Sequence, residues 1–170
     1  MEELLKERRS IRKYKQEPLK KNEIDKILKC GLLAPSSRNS QPWEIYLTKN
    51  KEKIIKLSQS KKTGVAFIKA APLVVVLVAN PNKSSVWIED LSIMATLMQI
   101  TAWQMGIGSC WVQIRNRNYN KKITSEEYIK NIMDIDSEKK VLCLLSFGYI
   151  NEDKKAYEDK EILFDRINWS

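Results

Sequence analysis

Three stretches of the chain hold side chains suited to gripping an anion or a polar ring. They are RRSIRKY at residues 8–14, PSSRNSQ at 35–41 and GIGSCWVQ at 106–113. In the first, Arg8, Arg9 and Arg12 stand with Ser10. A phosphomonoester carries nearly two charges and several acceptor oxygens, which guanidinium forks and a hydroxyl match. A solvated basic helix end would look the same, and the cluster alone does not choose. In the second, Ser36, Ser37, Asn39, Ser40 and Gln41 lie between Pro35 and Pro42. The prolines restrict the loop, so its donors and acceptors are held in place. Asx and Ser turns account for one or two such side chains more readily than for five. The third carries a Gly-x-Gly at 106 and 108 that is not a dinucleotide fingerprint. It lacks the third glycine, and it follows a helix and opens a strand. Gly106 reads as the residue that ends a helix. Gly108 reads as a close approach of backbone to a ligand.

Composition narrows the chemistry. The chain has 170 residues, 43% apolar, which favours one domain, 1–170, with a real core. It contains no histidine. Ser-His-Asp and Cys-His catalysis and His-ligated zinc are therefore excluded, no metal site is expected, and a bound cofactor becomes the natural carrier of any chemistry. Cys30, Cys110 and Cys143 are odd in number and widely spaced, which argues against a disulfide framework. The start has no apolar run of signal-peptide length, and the longest apolar stretch, AAPLVVVLVA, is too short to span a membrane. A soluble, cytoplasmic protein is expected. The net charge of +9 fits either an anion-binding surface or lysines spread over solvated faces. Acids interleave most of the lysines, which favours the second reading outside residues 6–15.

These motifs need elements to position them. A short helix is predicted at 2–9. A helix at 22–34 puts Ile24, Ile27, Leu28 and Leu32 on one face, with Asn22 as its N-cap. A strand at 44–48 follows the polar loop, and KEKIIKLS starts another helix. The β-branched run at 72–79 fits a strand buried on both faces, ended by Pro81. Strands are also expected at 107–114 and, centrally, at 141–150, with a helix at 125–133 between them. The segment 85–105 is a helix whose apolar positions wrap nearly its whole circumference. Such a helix must be buried all round, and so short a chain can hardly cover it. A dimer with this helix at or near the interface is expected; a single central core helix is the alternative. Interleaved helices and strands indicate an α+β sandwich.

RRSIRKY, then APSSRNSQPW, a long apolar helix, GIGSCW and a late SFGY strand, in this order, resemble the nitroreductase family of FMN-dependent oxidoreductases. The resemblance covers essentially the whole chain. It implies a mainly antiparallel central sheet flanked by helices, in an interlocked homodimer with FMN at the subunit interface. It further implies that Arg8, Arg9, Ser10 and Arg12 hold the flavin phosphate and pyrimidine edge from one subunit. Pro35, Ser36, Ser37 and Asn39 would approach the same flavin from the other. Trp111, Val112 and Gln113, just after Gly108, would lie against the ring, with backbone N–H groups toward its N5. Lys155 would reach the phosphate from beyond the last strand. The implied chemistry is ping-pong: NADH or NADPH reduces the flavin at N5, and electrons pass to a small organic acceptor such as a nitroaromatic or quinone. No protein side chain need be catalytic. Arg115 and Arg117 are candidates for the nicotinamide cofactor's phosphates or an acidic substrate. The segment 115–140 is short where many relatives carry lidding helices, which implies an open pocket. The alternatives are a flavin reductase, a dehydrogenase or a dehalogenase of the same family. Outside it stands a basic nucleic-acid-binding module, for which no recognised motif is present; no nucleic-acid or membrane partner is expected.

Overall fold

The computed structural model describes all 170 residues. Four strands form one antiparallel sheet: β1 (Trp43–Thr48), β2 (Leu73–Ala79), β3 (Ile107–Gln113) and β4 (Lys140–Tyr149), in the order β1-β2-β4-β3. Five α-helices surround it: α1 (Glu2–Glu7), α2 (Lys21–Leu32), α3 (Lys51–Leu57), α4 (Trp87–Gln104) and α5 (Ser125–Met133). Every residue of β2 is buried. Side chains alternate along a strand, so Leu73, Val75, Leu77 and Ala79 meet α2 and α4, while Val74, Val76 and Val78 meet α3 and α5. The β-branched run thus serves two cores at once. The register slips between Leu77 and Val78, where β4 passes Leu142 as an extra residue, as in a β-bulge.

Local chemistry sets the helix ends. Asn50 caps α3 by accepting the Lys53 N–H, and Thr124 with Glu127 forms a capping box on α5. The predicted N-cap of α2 shifts. Asn22 lies inside the first turn, Lys20 is the capping position, and the Glu23 carboxylate accepts the Lys20 N–H at 2.8 Å. Gly106 ends α4 at φ +72°, the left-handed conformation that glycine adopts without strain.

The segment after α1 crosses the outer end of β3 and β4. Ser10 bridges Ser109, and the Ile11 N–H bonds the Ser109 carbonyl at 2.9 Å. Lys15 donates to the Tyr149 carbonyl at 2.9 Å, and Asn151 donates to the Lys13 carbonyl at 3.1 Å. The buried Tyr14 hydroxyl meets the Ile11 carbonyl and, at 2.7 Å, Ser146. This crossing gives Gly108 a reason within the chain itself. A Cβ there would sit 2.7 Å from the Ile11 Cβ, so the chain's own N-terminal segment makes a close approach at this position.

One chain covers α4 on one side only. Leu91, Met94, Ala95, Met98 and Ala102 are fully buried, whereas Ile93 is 42% exposed. Leu97, Ile100 and Trp103 are half-buried. The tail adds Phe164, Ile167 and Trp169, all exposed. No helix is long and apolar enough to cross a membrane.

Gly108→Ala is expected to destabilise the fold by about 1–3 kcal/mol, because the added methyl overlaps a β-branched side chain that cannot swing away. Adding Ile11→Ala removes the overlap, so thermal melts of the double variant should show less than additive loss.

Candidate functional site

Arg8, Arg9, Ser10 and Arg12 line a cavity of ≈ 240 Å³ together with Lys154 and Tyr157. Its walls come from the crossing segment and from the chain just past β4. Glu152 joins the two: its carboxylate accepts the Arg12 N–H at 2.5 Å and the Lys13 N–H at 3.1 Å. Burial alone would raise the Glu152 carboxyl; these N–H donors and the nearby Lys154 ammonium outweigh it and hold it below the usual carboxylate range. The Tyr157 N–H bonds the Lys6 carbonyl at 3.0 Å. The arginines meet only neutral partners. Arg9 donates to the Lys155 carbonyl and lies 4.5 Å from the Tyr157 ring centroid. Arg12 lies 5.8 Å from the Phe67 ring centroid. No ion pair joins a carboxylate to their guanidiniums, Glu152 being paired with Lys154, so the cavity presents cations and a hydroxyl to an incoming anion.

Lys155 does not take the predicted place. Its ammonium pairs with Glu158, and only its carbonyl reaches the cluster. The lysine in the cavity wall is Lys154.

The polar loop is pinned to the first turn of α4. The buried Asp90 accepts the Ser37 N–H at 2.8 Å through Oδ1 and the Ser84 hydroxyl at 2.7 Å through Oδ2. The Gln41 N–H bonds the Ser36 hydroxyl at 3.0 Å, and the Gln41 side-chain amide bonds Asn39 at 3.2 Å. Arg38, Asn39 and Gln41 all have positive φ, between 42° and 53°, which L-residues seldom adopt. Asp90 holds that conformation from below, while Pro35, Ser37 and Asn39 remain exposed. Sequence reasoning missed Asp90. An acid in a first helical turn ordinarily reads as a match to the helix dipole.

β3 is an edge strand. Its Ser109 carbonyl points outward to Ile11. Alternation then turns the backbone groups of Trp111 and Gln113 outward too. The Trp111 indole donates to the Gln113 side chain at 3.0 Å, which in turn donates to the Arg115 carbonyl at 2.9 Å, so both side chains are fixed. The Val112 side chain points into the core, and the same alternation turns its N–H and C=O toward β4. Burial raises the neighbouring Cys110 thiol, against an opposing effect of Arg12. It is no reactive thiolate.

The predicted residues therefore form separate groups within one chain. No hydrogen bond joins the arginine cavity to the 35–41 loop, and the cavity beside each is lined without the other. Arg115 is half-buried. Arg117 is exposed and lines another cavity with Lys61 and Lys121.

The nitroreductase family model matches residues 5–87 and 56–149. The chain belongs to the nitroreductase family. A structure described as an FMN-dependent nitroreductase from Clostridium difficile R20291 superposes with a TM-score of 0.98 at 45% identity, covering 99% of this chain and 98% of that one. A protein of Archaeoglobus fulgidus, provisionally named NADH dehydrogenase/NAD(P)H nitroreductase, is 32% identical over 99% of this chain and 98% of its own. A Bacillus subtilis protein named FMN reductase [NAD(P)H] is 33% identical over 51% of this chain and 34% of its own. The family's α+β fold is the one observed, with the sheet antiparallel throughout.

Removing the Glu152 carboxylate tests the link between the walls. Glu152→Ala should cost about 2 kcal/mol at pH 7, the scale of hydrogen bonds to a charged group. The folded carboxyl titrates below its unfolded value, so its contribution is full above pH ~4.3. It fades as pH falls through the folded value. Denaturant melts of variant and parent should differ at pH 7 and converge in strong acid.

Proposed function

We propose that this chain is an FMN-dependent NAD(P)H oxidoreductase that delivers electrons to a small organic acceptor such as a nitroaromatic or quinone. The observation that carries this reading is the arginine cavity. Three guanidiniums and a hydroxyl, gathered in one cavity and without an ion-pair partner, fit a terminal phosphate. Arg8, Arg9, Ser10, Arg12 and Lys154 would hold it. The outward backbone of Trp111 and Gln113 would run beside the ring, with Val112 between them facing β4. Bound there, FMN supplies two-electron chemistry, accepting hydride from a reduced nicotinamide and reducing the acceptor in a second half-reaction. The chain's own part is placement and charge. The arginine cavity and its neighbours add a positive field that favours an anionic reduced ring.

The site would be completed by a second copy of the chain. Pro35, Ser36, Ser37 and Asn39 form a strained, pinned surface with no counterpart in their own chain. The apolar side of α4 and the exposed tail also lack a partner. A homodimer placing this loop over the other copy's arginine cavity accounts for all of these. The short turn at 114–124 leaves the β3 edge without a helical lid, which favours broad acceptor use, with Arg115 and Arg117 at its margin.

The test is the visible absorption spectrum of the purified protein, before and after anaerobic addition of NADH or NADPH. Flavin bands that bleach are expected. A colourless protein that also fails to take up added FMN would refute the proposal.

A further inference from the structure

The turn at 61–63 and the turn at 117–121 face each other across a cavity of ≈ 360 Å³. Lys61, Lys62, Arg117 and Lys121 supply its charge, and Thr63, Asn118 and Asn120 supply polar groups. No apolar side chain and no carboxylate lines it. None of the chain's ion pairs involves any of the four cations. Other lysines, such as Lys6, Lys21, Lys130 and Lys139, do find acids, but what sets these four apart is that they share one cavity. Burial first, and then the charge of Arg117, lower the Lys61 ammonium below its ordinary value.

The wall at 117–121 is built rather than loose. The Ser125 N–H holds the Arg117 carbonyl at 2.9 Å, and Asn118 bridges Thr124. The Asn120 side-chain carbonyl accepts the N–H groups of Lys122 and Ile123 at 2.7 and 3.0 Å. Tyr119 stacks on Tyr128 of α5 with ring centroids 3.9 Å apart. These contacts fix the backbone that carries Arg117 and Lys121 beside the other wall, and a bound anion would relieve the repulsion among the cations. Arg117 follows Gln113 by four residues, so the cavity wall begins within about 14 Å of the β3 edge along the chain.

We propose that this cavity is a second phosphate subsite, taking a phosphate group of a small molecule whose other end reaches the β3 edge. The 2′-phosphate of NADPH is one source, and a phosphorylated acceptor is the other. The position of the subsite beside a redox centre rests on the flavin reading, but its anion binding does not.

The test is calorimetric titration of the flavin-loaded protein, and of Lys61→Gln/Lys121→Gln, with three probes: adenosine 2′,5′-bisphosphate, adenosine 5′-monophosphate and inorganic phosphate. Both substitutions are in turns, and matching thermal melts establish that the variant folds. Binding of the bisphosphate at least tenfold tighter than the monophosphate, with that advantage lost in the variant, supports the subsite and assigns it to NADPH. The ratio of KM for NADPH to KM for NADH should then rise about tenfold in the variant. Equal binding of the two nucleotides, with inorganic phosphate bound by the parent and at least tenfold weaker in the variant, supports the subsite and assigns it to a phosphorylated acceptor. Affinities for all three probes that are unchanged by the substitutions would overturn the proposal. A protein that takes up no flavin yet shows the same difference between parent and variant would sink the flavin reading and leave this subsite standing.

Discussion

The crossing of residues 10–15 over the ends of β3 and β4 is the constraint on which the site depends. Ile11 fills the space that Gly108 leaves bare, and Ser109 and Tyr149 lend their carbonyls to it. With that segment locked to the sheet, Arg8, Arg9 and Arg12 stand at a fixed edge rather than on a free terminus. Glu152 then draws in the chain beyond β4 by accepting two backbone N–H groups, and so closes the cavity from the other side. The carboxylate is spent on backbone and on Lys154, which leaves the guanidiniums without an acid partner. A cavity with unbalanced positive charge is the product of this geometry.

The same economy governs the net charge of +9. Much of the surface is balanced: Lys6 meets Glu2, Glu3 and Asp159, and Lys139 meets Glu44. Such exposed pairs contribute little stability, but they neutralise the field around them. Two places gather several unpaired cations around one cavity, the arginine cavity and the turns at 61–63 and 117–121. The first is built on the segment that bridges Ser109 of β3, and the wall of the second begins four residues past the end of β3. An anionic ligand would therefore meet positive potential toward both ends of the β3 edge.

Much of this was legible in the sequence, because burial writes itself into side-chain pattern. The run at 72–79 could only be a strand covered on both faces, and β2 is one. The helix at 125–133 is found between those residues because Thr124 and Glu127 form a capping box that sequence can display. The apolar circumference of α4 foretold surface that one chain does not cover, and Ile93 shows it. What could not be read depends on contacts between distant segments. Gly108 resembled a ligand contact because nothing local reveals that Ile11 lies upon it. Lys155 gave way to Lys154 because the direction of a side chain past β4 is set by tertiary packing. Asp90 and Glu152 looked like ordinary surface acids, yet each anchors a loop some fifty or more residues away in sequence. Lys61 and Lys62 looked like one more solvated lysine pair until the fold set Arg117 and Lys121 opposite them.

The central claim is that the arginine cavity of one chain and the pinned loop of another make one site. Co-expression of two disabled chains tests it most directly, one carrying Arg8→Ala/Arg12→Ala and the other Ser36→Ala/Ser37→Gly/Asn39→Ala. Each alone should bind no FMN. In a mixed dimer one site receives both defects and the other receives none, so about half the flavin content of the parent per chain is expected, by the arithmetic of complementary sites. A purified mixed dimer that remains colourless and takes up no FMN would contradict the claim.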